Sequence, residues 1–336
     1  MAAHAKLSRI LLNSAATQYL AYGLRISSDR PIPGLTPVDE QESDIVFRFV
    51  SEQAPNSGSN GIGEAIWYES YLRDDNDQPL LKIWRNNLEN SFRIEYSHGL
   101  AFEVDSTLSV VNITGAEQIS STEISSFLLG PVLGILLRMK GVTCLHASAV
   151  AFRGRSLVFA GTEGSGKSTA AAIFAKNGHA VLADDIAVLD KLDGTLSVRP
   201  GSPILNLLSD SADWLYGLAG ASATEVETEK QRIVLDGNNL RFQEEELPLG
   251  AVFILDAATD RSQPIERLNP QEALVGLAAE TYANRMLDTK MRASEFLALG
   301  ALVKSVPVLR ISTRAAECGF QAFYETVCRS ASSLGF

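Results

Sequence analysis

The chain has 336 residues, 46% of them hydrophobic and 21% charged, and a formal net charge of -11. That composition supplies ample apolar material for a folded core, at a length natural for two domains. An acidic surface repels phosphodiester backbones and anionic lipid headgroups, which argues against nucleic acid and membrane surfaces as partners.

At the start of the chain, Leu11 and Leu12 give way at once to Asn13 and Ser14, so no signal peptide is expected. Residues from about 18 to 119 read as β-rich. Ile45 to Phe49 and Ser91 to Tyr96 alternate in the manner of strands. Asp74 to Asp77, Ser57 to Gly61 and the proline-rich Pro31 to Pro37 read as turns or irregular stretches. Nothing in this part gathers into a chemical site, so 1–119 is expected to be an accessory or substrate-recruiting domain.

The pattern changes near Ser120. Ser120 can cap a helix start, with Glu123 three residues on as in a capping box, before the apolar run Phe127 to Leu137. That run is interrupted by Gly130, Pro131 and Gly134 and stops at Arg138. It is too short for the roughly 20 residues a membrane span needs, and is expected as a buried helix. From Cys144 onward strand-like and helix-like segments alternate, which predicts an α/β domain over 120–336 with a central sheet. The polar stretch Ala221 to Gln231 reads as a loop near the site. The three cysteines, Cys144, Cys318 and Cys328, lack metal-ligand spacing and do not form a disulfide framework. Reduced thiols suit the cytoplasm, the expected location.

The chemistry concentrates after the short apolar strand Ser156 to Ala160. Gly161, Thr162, Glu163, Gly164, Ser165, Gly166, Lys167, Ser168 and Thr169 follow it, and Ser168 to Asn177 then reads as a helix that Gly178 stops. Strand, glycine-rich turn, lysine, hydroxyl and helix stand in the order of a phosphate-binding loop. Glycines let successive amides curl into a nest around phosphate oxygens, and the helix N-terminus adds unpaired N–H groups. Lys167 can reach the β- and γ-phosphates and the Ser168 hydroxyl can hold Mg²⁺, so ATP with Mg²⁺ is the expected ligand.

Transfer of a γ-phosphoryl group also needs a metal-holding carboxylate and a group that activates the acceptor. Two places offer one: the pair Asp184 and Asp185 after the strand Ala180 to Ala183, and Asp256 after the strand Ala251 to Leu255, which has a Walker-B look. His146, in apolar company just before the loop strand, is either a hydrogen-bonded core residue or part of the site.

Together these residues resemble the catalytic domain of bacterial HPr kinase/phosphorylase and its relatives, including the HPr-kinase-like kinases of peptide-modification gene clusters. ATP-dependent phosphoenolpyruvate carboxykinase shares the loop architecture more distantly. In that family a histidine precedes the first loop glycine by the interval from His146 to Gly161, a Gly-His pair like Gly178 and His179 follows the helix, and an Asp-Asp pair stands as far from the lysine as Asp184 and Asp185 do. The resemblance covers His146 to Asp185 strongly and extends weakly to a late strand at Val306 to Arg310.

The resemblance implies a P-loop kinase fold, with Lys167 binding phosphate and Ser168 binding Mg²⁺. Asp184 would support the metal, Asp185 would be the base toward an acceptor serine, and His146 would assist near the phosphoryl group. The implied partner is a protein or peptide carrying the acceptor hydroxyl, and the family leans toward homo-oligomers. Departures accompany it. Thr169 stands where the HPr enzyme commonly has glutamate, and Pro200 to Leu205 replaces its Glu-x-Arg-Gly segment. The basic segment tied to the phosphorylase reaction has only Lys230, Arg232 and Arg241 as nearest cations, which read as exposed loop charges. A divergent relative of HPr kinase is therefore expected. A small-molecule kinase on the same scaffold and a nucleotide-dependent switch are the alternative readings.

Overall fold

The computed structural model describes residues 16–50, 63–89, 91–216, 230–237, 240–256, 265–312 and 319–336. Among these the fold is mixed α/β and built on several sheets. The first sheet takes β1 (Thr17–Ala21), β2 (Leu24–Ser28), β3 (Ile45–Phe49), β4 (Glu64–Glu69), β5 (Leu81–Asn86), β6 (Ser91–Tyr96), β7 (Ala101–Val104) and β8 (Val110–Thr114), in the order β1-β2-β3-β8-β7-β6-β5-β4. Both strands expected from alternation, Ile45 to Phe49 and Ser91 to Tyr96, are present as β3 and β6. The turn at Asp74 to Asp77 closes through Asp77 N to Asp74 O at 3.0 Å, whereas Ser57 to Gly61 lies outside the described residues.

Helix α1 (Ser121–Phe127) starts as its sequence dictates: the Ser120 hydroxyl accepts from the Glu123 amide at 3.2 Å. Pro131 has no N–H to give to the turn before it, and the ladder widens there into a π-helical segment, Leu128–Val132, before α2 (Leu133–Met139) resumes. The helical stretch Ser121–Met139 is therefore longer than the apolar run alone suggested. By length and composition it could cross a membrane, but 61% of its window is buried inside the fold. Leu128, Val132, Leu133, Leu136 and Leu137 pack in one core with Phe47, Ile83, Ile94 and Phe102 of the first sheet.

The second sheet gathers β9 (Thr143–Leu145), β10 (Ala147–Phe152), β11 (Arg155–Ala160), β12 (Val181–Ala183), β13 (Ala187–Leu192) and β14 (Thr195–Arg199). It is completed by β17 (Leu247–Asp256), β18 (Ile265–Arg267) and β19 (Val308–Ser312), after the separate hairpin of β15 (Ile204–Leu208) and β16 (Lys230–Val234). At its centre β11, β17 and β19 run parallel. Their continuous apolar runs suit strands covered on both faces. Alternate residues divide between those faces. Leu157, Phe159, Ala251 and Phe253 meet α3 (Lys167–Lys176) and α7 (Phe320–Ser333). Val158, Ala160, Val252 and Ile254 meet α5 (Pro270–Ala279) and α6 (Thr289–Ser305). Each large side chain so buried contributes roughly 1.5–3 kcal/mol relative to exposure. The short α4 (Ser209–Tyr216) follows β15. The glycine-rich loop thus leaves the C-terminal end of a central parallel strand, where open α/β sheets hold ligands.

Two expectations are corrected here. Lys230 and Gln231 belong to β16 rather than to a loop, and the rest of Ala221 to Gln231 lies outside the described residues. Arg232 is not an exposed loop charge. It is 8% exposed, and its guanidinium donates to the carbonyls of Pro33 and Thr122 and the hydroxyls of Ser125 and Ser126, tying β16 to α1. Arg241 does remain exposed, bonded to the Gly178 carbonyl. Cys144 and Cys328 are free thiols, and Cys318 lies outside the described residues.

Candidate active site

The loop from Gly161 to Gly166 joins β11 to α3, and its glycines are dictated by backbone. Gly164 and Gly166 take φ of 76° and 94°, left-handed conformations that disfavour a side chain. Gly161 is excluded from substitution by crowding instead: a Cβ there would lie 2.6 Å from Ser165 Oγ and 2.9 Å from the Leu255 carbonyl. Lys167, the first residue of α3, is buried to 6% exposure. Its ammonium donates to the carbonyls of Gly161 and Thr162 at 2.8 and 2.9 Å. Burial lowers its pKa, and the nearby charges of Asp185, Glu280 and Asp184 hold it up.

Asp184 and Asp185 follow β12 in a tight turn closed by Ile186 N to Asp184 O at 2.8 Å, with Asp185 at φ 63°. A non-glycine residue in this region costs conformational energy, and such residues concentrate at functional positions. Asp184 is 4% exposed and accepts from the Ser148 hydroxyl at 2.6 Å and from the Asn206 amide at 2.8 Å. The Ser168 hydroxyl lies near enough to help hold that carboxyl down, which sets the aspartate pair beside the phosphate loop. Burial and then the neighbouring Asp185 push its carboxyl up to about 7, with those hydrogen bonds pulling the other way. The Asn206 side-chain amide donates to Asp185 at 3.0 Å, so one residue of β15 holds both carboxylates.

His146 sits between β9 and β10, its backbone amide donating to the Glu280 carbonyl at 2.8 Å. Its Nδ1 lies 3.0 Å from the Asp185 carbonyl. A carbonyl can only accept, so Nδ1 carries the proton and Nε2 of the neutral ring keeps its lone pair. Burial first, then the Lys167 charge, lowers its pKa; Asp185 opposes them. The imidazole is held neutral beside the aspartate pair.

The structure therefore brings Lys167, Ser168, Asp184, Asp185 and His146 to one end of the central sheet. Asp256 ends β17, the strand that runs parallel beside the loop strand, and pairs with Arg310 at 3.9 Å. Glu163 is exposed on the loop and lines the same cavity as the aspartates. The Thr169 hydroxyl reaches Ser211 at 3.5 Å on the far side of the helix start. Ser165 Oγ is buried without a hydrogen-bond partner among the described residues. The nest of loop amides, the unpartnered Ser165 hydroxyl and a lysine with donor capacity left suit an oligophosphate.

Among the described residues no three His, Cys, Asp or Glu side chains form a metal cage. Mg²⁺ uses one or two carboxylates along with phosphate oxygens and water. Ser168 and Asp184, close neighbours in the fold, are the donor set that fits it.

Sequence reasoning missed Ser148, Asn206, Glu280 and Tyr282. Ser148 had only its closeness to His146 in the sequence as a signal. The other three reach the site from distant elements and leave no local mark.

No protein-family model matches the sequence, and a search of curated proteins finds no match. Among solved structures, an HPr(Ser) kinase/phosphatase from Coxiella burnetii aligns over 56% of this chain and 97% of that one, with 11% identity and a TM-score of 0.28. At that score the likeness is too slight to assign a family.

Proposed function

We propose that the protein is an ATP-dependent kinase that transfers the γ-phosphoryl group to a hydroxyl, serine in the first instance, of a protein or peptide. In this reading residues 120–336 are a P-loop catalytic domain of the HPr kinase and phosphoenolpyruvate carboxykinase type, and 1–119 are an accessory domain. The observation that carries it is the convergence of two separate motifs with a histidine: Asp184 and Asp185 after β12 stand near enough to Lys167 of the phosphate loop to hold its charge up, and His146 Nδ1 lies 3.0 Å from the Asp185 carbonyl. A nucleotide switch has less need of a second carboxylate and a neutral imidazole beside the phosphate loop.

The amides from Gly161 to Thr169 and the Lys167 ammonium bind the phosphates. Ser168 and Asp184 hold Mg²⁺, which when bound neutralises phosphate charge. Asp185 accepts the proton of the acceptor hydroxyl as its oxygen bonds to phosphorus. The bond from phosphorus to the bridging oxygen breaks in line and ADP leaves with that electron pair. The Nε2 lone pair of His146, fixed by the Nδ1 bond to Asp185, orients the hydroxyl or shares its proton.

The test is a titration with ATP and Mg²⁺ by calorimetry, followed by mass spectrometry of proteins and peptides incubated with labelled ATP. Lys167→Ala should lose ATP binding. Asp185→Asn should bind ATP normally and lose transfer by at least a hundredfold. Wild-type transfer by Asp185→Asn would overturn the base assignment, and ATP turnover without any labelled acceptor would favour the switch reading.

A further inference from the structure

The cavity with the aspartate pair on its wall extends from the second sheet to the first. It encloses about 720 Å³, and Leu80, Tyr96 and His98 of the N-terminal part line it together with Asp184, Asp185 and His146. The wall opposite the carboxylates is aromatic. The ring of Tyr96, at the end of β6, lies 4.4 Å from that of Phe127, which ends α1, and His98 lies 5.6 Å from Phe127. Leu129, from the π-helical segment, continues this wall, and Tyr282 stands 6.2 Å from His146 at the reactive end.

Within that wall the Tyr96 hydroxyl is buried and has no hydrogen-bond partner among the described residues. A buried phenol normally finds one. The hydroxyl is closed off from the cavity, so Tyr96 meets an occupant with its ring.

We propose that this cavity seats the acceptor as a short unfolded peptide segment, in which an apolar side chain next to the phosphorylated hydroxyl packs on Tyr96 and Phe127. The inference rests on the kinase reading and names its specificity pocket. The volume falls within the range that takes a small ligand or a few residues. A compound the size of one amino acid would leave the aromatic wall in water, and a folded surface cannot enter the concavity. The first sheet thus acts as the outer wall of the acceptor site and selects what Asp185 meets.

The test uses two acetylated, amidated five-residue peptides, one with serine followed by phenylalanine and one with aspartate in place of the phenylalanine, and N-acetylserine amide. Binding to the full chain without nucleotide is followed by saturation-transfer NMR, and phosphorylation is then measured with ATP and Mg²⁺. The phenylalanine peptide should bind at least tenfold more tightly than the aspartate peptide, with the same preference in kcat/KM. Tyr96→Leu, which removes the aromatic ring, should reduce its affinity about fivefold, and Leu80→Asp, at a 37% exposed position that tolerates polarity, should reduce the preference. Equal binding of the two peptides, unchanged selectivity in both variants, or equally efficient labelling of N-acetylserine amide overturns the proposal. With ATP binding intact, that result leaves the nucleotide reading standing. Absence of ATP binding overturns the nucleotide reading and the acceptor role together.

Discussion

The Ser148 hydroxyl donates to the Asp184 carboxylate at 2.6 Å, across the antiparallel pairing of β10 with β12. Both residues are buried, Ser148 completely. Ser148→Ala removes one of the donors that hold the Asp184 carboxyl down, so its pKa rises further. It also leaves a buried oxygen short of a partner, at a cost of about 1–3 kcal/mol. Urea denaturation should show the lowered midpoint, and a loss below 0.5 kcal/mol would mean that the remaining donors, Asn206 first, satisfy Asp184 alone.

Gly134 in α2 lies against Tyr282, and a Cβ there would come within 2.3 Å of the ring and 2.9 Å of Ile186 Cδ1. Overpacking of this kind costs about 1–3 kcal/mol. The displaced ring stands beside His146, so Gly134→Ala should lower thermal stability and phosphoryl transfer while leaving ATP affinity unchanged. Thermal melts and calorimetry separate the effects, and equal melting temperatures would show that Tyr282 yields without strain.

Arg138 and Glu295 form a buried ion pair at 2.8 Å, with side chains only 5% and 8% exposed. Arg138 also donates to the Val142 carbonyl at 2.6 Å, and Glu295 accepts from Thr281 at 3.2 Å. Glu295→Ala strands a guanidinium in the interior and should cost about 3–5 kcal/mol, whereas replacing both partners with apolar residues of similar volume should cost much less. Equilibrium unfolding of the single and double variants measures the difference. Equal losses would mean that the charges contribute no more than their bulk.

His179, after α3, has Nδ1 on the Ala151 carbonyl and Nε2 on the Tyr324 hydroxyl, both at 3.0 Å, and its ring stacks on Phe152. Burial lowers its pKa. The unfolded chain therefore binds a proton at higher pH than the folded one does. Stability is unaffected above the unfolded value of about 6.5 and falls as pH drops below it. Melting temperature should decline from pH 7 to pH 5, and His179→Gln should flatten that decline. An identical slope in the variant would place the acid sensitivity elsewhere.

The chain itself determined the local chemistry. The glycines at 164 and 166, the lysine and hydroxyl after them, and the apolar runs of β11 and β17 could be read because each depends on neighbours in sequence: backbone conformation, helix start, strand burial. The aspartate pair was legible as a strand end. What only the tertiary structure decided is which of these meet. Asn206 reaches Asp184 and Asp185 from another hairpin, Arg232 turns from an apparent surface charge into a buried tie between β16 and α1, and Asp256 pairs with Arg310. The aromatic wall of Tyr96 and Phe127 exists only because the first sheet packs on α1 and α2. Such contacts follow from how amphipathic faces are buried against one another, and spacing along one chain carries no record of that choice.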